Sequence, residues 1–433
     1  MQSESEINSE DHGGLIALAL ISLVVGAVSG FVAAIFRLAL TQADYLRTTF
    51  IAWAHEEKAA GFLLVIGIIS AATALAAWLV RRFSLEASGS GIPHIEAVMQ
   101  DGRHPGPPLR LMLVKFLGGV LAIGSGLALG REGPSVQMGA SIANLFGTTF
   151  HRSWADCKVL IAAGAGAGLA TAFNAPIAGA IFVLEELVRR FDTRIAIAAL
   201  GTSASAIAVA RVLIGQTPDF HVVPQPYPGF GTVPVHIALG IIAGIVGVAY
   251  CRAILGALAF MDRLRRLPIE LRAALVGVIV ALLAWFAPDI VGGGDAITQN
   301  ALNGTDALLT IALVFFIRFG LGAVSYAAGT PGGIFAPMLV LGAQIGLLFG
   351  TLCCFWFPGV ASGPTAFAIV GMAALFTAVV RAPITGIVLA TELTGSFTLL
   401  LPMLASCFAA MAVPTLLRVP PIYDSLRERL LRD

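Results

Sequence analysis

The chain is 433 residues long, 58% of them apolar and 12% charged, about half the ~25% charged content of an ordinary soluble domain. Its 26 basic and 25 acidic residues leave a formal net charge of +1, with no basic face of the kind that nucleic acid requires. With 48 glycines and a mean hydropathy of +0.90, the composition excludes a soluble enzyme and a nucleic-acid binder and fits an all-α polytopic membrane protein.

A polar, acidic leader over 1–13 lacks the basic n-region and the cleavage site of a signal peptide, so the apolar run 15–36 reads as a retained helix. Further uncharged windows follow at 59–80, 116–130, 133–150, 159–184, 195–210, 233–251 and 273–288. Several are shorter than the ~20 residues that span a bilayer. Between 319 and 380 there are 62 residues without Asp, Glu, Lys or Arg, interrupted by Gly329, Pro331, Gly332, Gly333, Pro337, Pro358 and Pro364. No straight helix runs through those residues, and irregular backbone inside a bilayer survives only where protein or a hydrated cavity satisfies its polar groups. Broken helices of this kind are where transporters place their sites.

Basic residues gather in three segments: Arg81, Arg82, Arg103 and Arg110; Arg263, Arg265, Arg266 and Arg272; and Arg418, Arg427, Arg429 and Arg432. The positive-inside rule places all three in the cytoplasm. The Pro-rich segment 217–232 reads as an extramembrane connection between a first membrane repeat, 14–216, and a second, 233–417. A C-terminal cytoplasmic helix is expected over 418–433.

The two halves resemble each other. Asn174-Ala-Pro-Ile-Ala-Gly179 and the apolar run to Glu185 match Arg381-Ala-Pro-Ile-Thr-Gly386 and the run to Glu392, at an offset of 207 residues. Gly130-Arg-Glu-Gly-Pro134 matches Gly333-Ile-Phe-Ala-Pro337 at an offset of 203. Pro and Glu are rare enough in this composition that two nearly equal offsets indicate an internal repeat, with the site expected where the repeats meet.

Three junctions share one design: Gly89-Ser-Gly-Ile-Pro93, Gly130-Arg-Glu-Gly-Pro134 and Gly332-Gly-Ile-Phe-Ala-Pro337. Each sets Gly and Pro before a helix-compatible run, which suits a chain that turns sharply and starts a helix inside the membrane. A buried helix start presents unpaired N–H groups and about half a positive charge, so converging starts hold an anion without a full cation. Ser90, Gly91, Ile334 and Phe335 are the donors or close-approach positions expected there. They suit a small, dehydratable anion such as chloride, which must enter readily and also leave. Each junction alone also fits close helix packing of the small-xxx-small kind; three together, each ending in Pro, favour the anion site.

Glu132 is an acid beside such a start, where an ionised carboxylate would occupy the anion position itself. A charge at mid-membrane costs about 2.5–3.5 kcal/mol on insertion scales, so intramembrane acids are functional candidates; the alternative is an ion pair with Arg131. Glu185 and Glu186 end an apolar run before Arg189 and Arg190, where a carboxylate can take protons from the cytoplasm; the alternative is a salt-bridged interfacial helix end. Glu185 is set about 100° from Glu186 on an α-helix and is expected to matter less.

These motifs, spread over nearly the whole chain, resemble those of the CLC chloride channel and transporter family. The resemblance implies two inverted-topology repeats of tilted and broken intramembrane helices, a pore in each subunit and a homodimer in a prokaryotic cell membrane. It makes Ser90, Gly91, Ile334, Phe335 and Tyr423 (in Pro-Pro-Ile-Tyr) the anion site, Glu132 the external gating glutamate and Glu186 the internal glutamate usual in exchangers. It also matches Lys115 to a buried family lysine, for which Glu96 is the expected partner. His94 departs from the acidic residue common after this Pro in bacterial relatives, and, with so few residues after Tyr423, the CBS domains of many members are not expected. The implied function is exchange of chloride for protons, with a passive voltage- or pH-gated chloride channel as the alternative. Chloride enters as bound substrate and no cofactor or metal is expected. The sequence lacks HExxH, GxSxG and clustered His, so no enzyme activity is expected.

Overall fold

The computed structural model describes residues 2–304, 307–356 and 363–432, with side chains from Gly14 onward. The side chains of the leader expected over 1–13, together with Pro358, lie outside the described residues. The first half of the chain forms α1 (Gln2–Glu56), α2 (Lys58–Phe83), α3 (Ile92–Gln100), α4 (Pro108–Gly124), α5 (Glu132–Thr149), α6 (Trp154–Phe173), α7 (Pro176–Phe182) and α8 (Thr193–Ile214). The second forms α9 (Val233–Arg263), α10 (Ile269–Phe286), α11 (Asp295–Asn303), α12 (Leu308–Tyr326), α13 (Phe335–Trp356), α14 (Pro364–Val380), α15 (Pro383–Thr394) and α16 (Leu400–Leu416), followed by α17 (Ile422–Arg432). Among the described residues eight helices are long and apolar enough to cross a membrane, and no strand forms.

Eight helices thus stand on each side of the irregular connection, and their packing repeats as well: α5 against α6 as α13 against α14, and α1 against α8 as α9 against α16. The tightest crossings are built from glycine at matching positions. A β-carbon on Gly164 would lie 2.5 Å from the carbonyl oxygen of Gly139, and one on Gly342 2.5 Å from that of Gly371. Small residues let these backbones touch, which is how helices associate where lipid offers no hydrophobic drive. Large apolar side chains face outward instead: Leu63 is 67% exposed, Phe316 71% and Phe408 76%, an arrangement suited to lipid and foreign to a soluble surface.

The three basic segments meet on one side. Arg81 pairs with Glu270 at 2.6 Å, Arg427 with Asp101 at 3.6 Å and Arg429 with Asp262, while Arg103 donates to the Leu430 carbonyl at 3.0 Å. Away from these pairs, the connection between the repeats is fastened by Asp219, which accepts from Arg37 at 2.7 Å and from Arg131 at 3.0 Å.

Candidate functional site

The three Gly/Pro junctions come together by backbone pairing. Gly89 N–H donates to Thr330 O and Gly332 N–H to Gly89 O, both at 3.0 Å, while Gly130 and Gly333 exchange N–H···O bonds of 2.8 Å in each direction. These two isolated bridges satisfy the irregular backbone that interrupts the membrane helices, and they aim the starts of α3, α5 and α13 at one buried region. Gly91, with φ at +86°, takes a left-handed turn ahead of α3 and leaves no room for a side chain beside that of Gln137. Gly133 lies so close to Ser90 that a β-carbon on it would come within 2.5 Å of Ser90 Oγ and 2.6 Å of Ser90 O.

Ser90 and Tyr423 are both fully buried, and neither hydroxyl has a hydrogen-bond partner among the described residues. A buried hydroxyl without a partner costs free energy unless a ligand supplies one. Phe335 stands next to them. Its ring lies 6.1 Å from that of Tyr423, 4.7 Å from Phe376, 5.7 Å from Phe182 and 6.2 Å from Phe173, so the region is walled by aromatic edges and faces. The amides of Ile334 and Phe335, at the start of α13, precede the helix's own hydrogen-bond ladder.

Glu132 is 1% exposed, and its Oε2 accepts from the Ala336 amide of α13 at 3.4 Å. It does not pair with Arg131, which donates to Asp295 at 2.6 Å, Asp219 at 3.0 Å and the Ala172 carbonyl at 2.9 Å. A cavity of about 340 Å³, lined by Glu132, Arg131, Asp44, Arg47, Asp289 and Asp295 among others, opens on this side. Glu186 is 3% exposed and lines a different cavity, within 3.4 Å of Arg189, which also holds Asp424 at 2.9 Å, one residue from Tyr423.

One expected partnership is not formed. Lys115 is fully buried, yet its Nζ donates to the carbonyls of Ala87 at 3.1 Å and Gly89 at 2.7 Å, while Glu96 lies 3.9 Å from Arg189 and faces Glu186. The ammonium is satisfied by the backbone leading into Ser90, and Glu96, within α3, is turned toward Glu186 instead. His94, 3% exposed, lies with Nδ1 3.2 Å from the Gln137 amide nitrogen, which also donates to Glu86 O at 2.8 Å. Sequence reasoning missed Tyr326, whose hydroxyl accepts from Ser90 N–H at 3.5 Å, and Asp219, since a lone acid in a Pro-rich connection carries no local signal. It also placed Glu185 and Glu186 on an α-helix. They lie instead in a π turn, Val183–Leu187, closed by Val188 N–H on Val183 O at 2.9 Å.

A family profile described as "Voltage gated chloride channel" matches residues 72–415. The chain belongs to the CLC family. A Vibrio cholerae protein named H(+)/Cl(-) exchange transporter ClcA is 38% identical over 426 residues, covering 95% of this chain and 89% of the relative. The protein of the same name from Cronobacter sakazakii is 37% identical over 433 residues, covering 98% and 92%. Among solved structures, a slow cyanobacterial Cl-/H+ antiporter superposes with a TM-score of 0.91 at 33% identity, over 96% of this chain and 98% of that one. A eukaryotic CLC transporter, with a TM-score of 0.83 at 24% identity and coverage of 95% and 74%, shares the fold. The paired repeats described above are therefore the CLC fold.

Proposed function

We propose that this CLC protein is an antiporter exchanging chloride for protons across a cell membrane, working as a homodimer with a pathway in each subunit. The observation that supports the reading is a pair of buried carboxylates, Glu132 and Glu186, that line two separate cavities, together with the two unpartnered buried hydroxyls of Ser90 and Tyr423. In this reading chloride is held by those hydroxyls and by the first amides of α13 at Ile334 and Phe335, with Gly91 allowing the close approach of the α3 start. Partial charges of helix ends bind the anion without the grip of a full cation. Ionised, Glu132 takes hydrogen bonds from the start of α13 and competes with chloride there. Protonated, it gives up the position and carries the proton outward.

Glu186 supplies the second station, receiving protons on the side of the basic segments. A second buried carboxylate, in a cavity of its own, supports exchange, as do the names of the similar bacterial proteins. Purified protein in liposomes, given a chloride gradient and followed with a pH electrode, tests the reading. Proton movement driven by chloride is the expected result, and chloride flux without it would leave a passive channel.

A further inference from the structure

Helices α7 and α15 start alike, with Pro at the first position and alanine, Ala175 or Ala382, at the cap, where neither has a side-chain hydrogen bond of its own. Alanine has no acceptor, so the amides of each first turn would be left unpaired in a membrane setting. The acceptors come from the other repeat. Glu185 takes hydrogen bonds from the amides of Ile384 at 3.0 Å and Thr385 at 2.7 Å and from the Thr385 hydroxyl at 2.7 Å. Glu392 takes those of Ile177 at 3.1 Å and Ala178 at 2.8 Å. The two carboxylates and their targets are related by the same 207-residue offset. Each is thus a helix cap delivered across the repeat boundary, and charge-assisted bonds of this kind are the strong ones.

The two caps are not equivalent in what they hold. Glu185 lies inside the π turn, immediately before Glu186, whereas Glu392 lies in the last turn of a regular helix. A π turn carries one residue more than the α-helical turn and is seldom stable unless its surroundings fix it. Here three hydrogen bonds draw Glu185 toward α15, and the following residue is left facing inward to Arg189 and Glu96.

We propose that Glu185 is a positioning residue for Glu186: its bonds to the start of α15 fix the π turn and so the place of the Glu186 carboxylate, with Glu392 holding the other end of α7. The proposal rests on the reading of Glu186 as the inner proton station. Glu185 acts by accepting hydrogen bonds, and a neutral amide keeps one of its two acceptor oxygens, the one that can face Thr385.

The test compares Glu185→Gln, which keeps an acceptor oxygen, with Glu185→Ala, which keeps none, in liposomes where chloride and proton movements are measured together. Glu185→Ala should raise the chloride-to-proton ratio by about tenfold or more, the factor that one charge-assisted hydrogen bond carries, while Glu185→Gln, whose oxygen can still accept from Thr385 but whose amino group then meets the Ile384 N–H, should raise it less. Glu392→Ala should shift the ratio in the same direction. Equal loss of coupling in Glu185→Gln and Glu185→Ala would make Glu185 a proton carrier and overturn the proposal, as would an unchanged ratio in Glu185→Ala.

Amide hydrogen exchange separates this from the exchanger reading. Whether or not the unaltered protein moves protons, Glu185→Ala should speed exchange about tenfold or more at Thr385 and at Val188, whose N–H closes the π turn, and Glu185→Gln should speed it less. Absence of proton movement in the unaltered protein would sink the exchanger reading alone. Unchanged exchange at Val188 would sink the positioning role.

Discussion

Arg131 and Glu132 are consecutive in the chain and have no hydrogen bond to each other: the guanidinium reaches Asp219 and Asp295, and the carboxylate reaches the Ala336 amide at 3.4 Å. The intramembrane acid is thereby left without a fixed counter-ion, and a carboxylate free of one can be neutralised and displaced. Glu132→Gln should mimic the protonated form. Chloride flux is expected to persist while chloride-driven proton movement disappears, as measured in liposomes with a chloride electrode and a pH electrode. Loss of both fluxes in a folded variant would mean that the carboxylate has a structural task.

The diversion of Arg131 is shared by Asp295 and Asp219, the latter 6% exposed in its side chain and also paired with Arg37. Removing one partner of a buried ion pair costs about 3–5 kcal/mol, and here it also leaves Arg131, beside Glu132, with Asp295 as its remaining carboxylate. Asp219→Asn should slow both fluxes by holding Glu132 ionised, and the slowing should vanish in a Glu132→Gln background. Additive effects in the double variant would show that the two residues act separately.

Glu186→Gln should abolish chloride-driven proton movement while leaving chloride flux and chloride affinity intact, because no proposed anion ligand touches this carboxylate. Parallel liposome fluxes and calorimetric chloride titration check both halves. Undiminished proton movement would return Glu186 to the status of a salt-bridged helix end beside Arg189.

The hydroxyls of Ser90 and Tyr423 invite a direct measurement. A hydrogen bond to a charged group is worth about 1.5–3 kcal/mol, so Ser90→Ala and Tyr423→Phe should each weaken chloride binding by about tenfold or more. Calorimetric titration with chloride reads this, and unchanged affinity in both would remove the pair from the anion site.

Much of this was legible in the sequence because it rests on local rules. Gly and Pro placed before apolar runs identified the starts of α3, α5 and α13, and the matched Pro-Ile and Glu positions exposed the repeat. What escaped the sequence was which group answers which. Lys115 finds carbonyls instead of Glu96, since a short turn of backbone lies nearer than any acid. The role of Glu185 was hidden because its partners lie about 200 residues away, although its alignment with Glu392 was the one available signal. The π turn was hidden as well, because no residue type marks it.

The glycine crossings make a stability prediction that concerns no ligand. A β-carbon at Gly371 would lie 2.9 Å from the Gly346 Cα and 3.1 Å from its nitrogen, with backbone on both sides and nothing flexible to yield. Overpacking of this kind costs about 1–3 kcal/mol. Gly371→Ala should lower the thermal midpoint in detergent, whereas Gly256→Ala, in open space on α9, should leave it unchanged or raise it slightly.

The bridge between Gly130 and Gly333 also constrains how the protein is made. Its two bonds join residues 203 positions apart, and synthesis at about 5–20 residues per second separates their emergence by about 10–40 seconds. Through that interval the amide and carbonyl of Gly130 have no partner from the second repeat, so a ribosome-bound first half inserted in the bilayer holds its helix starts open. The site is assembled only when the nascent chain has reached α13, and a pause or truncation before that point leaves a half-protein with polar backbone facing lipid or a holding chaperone.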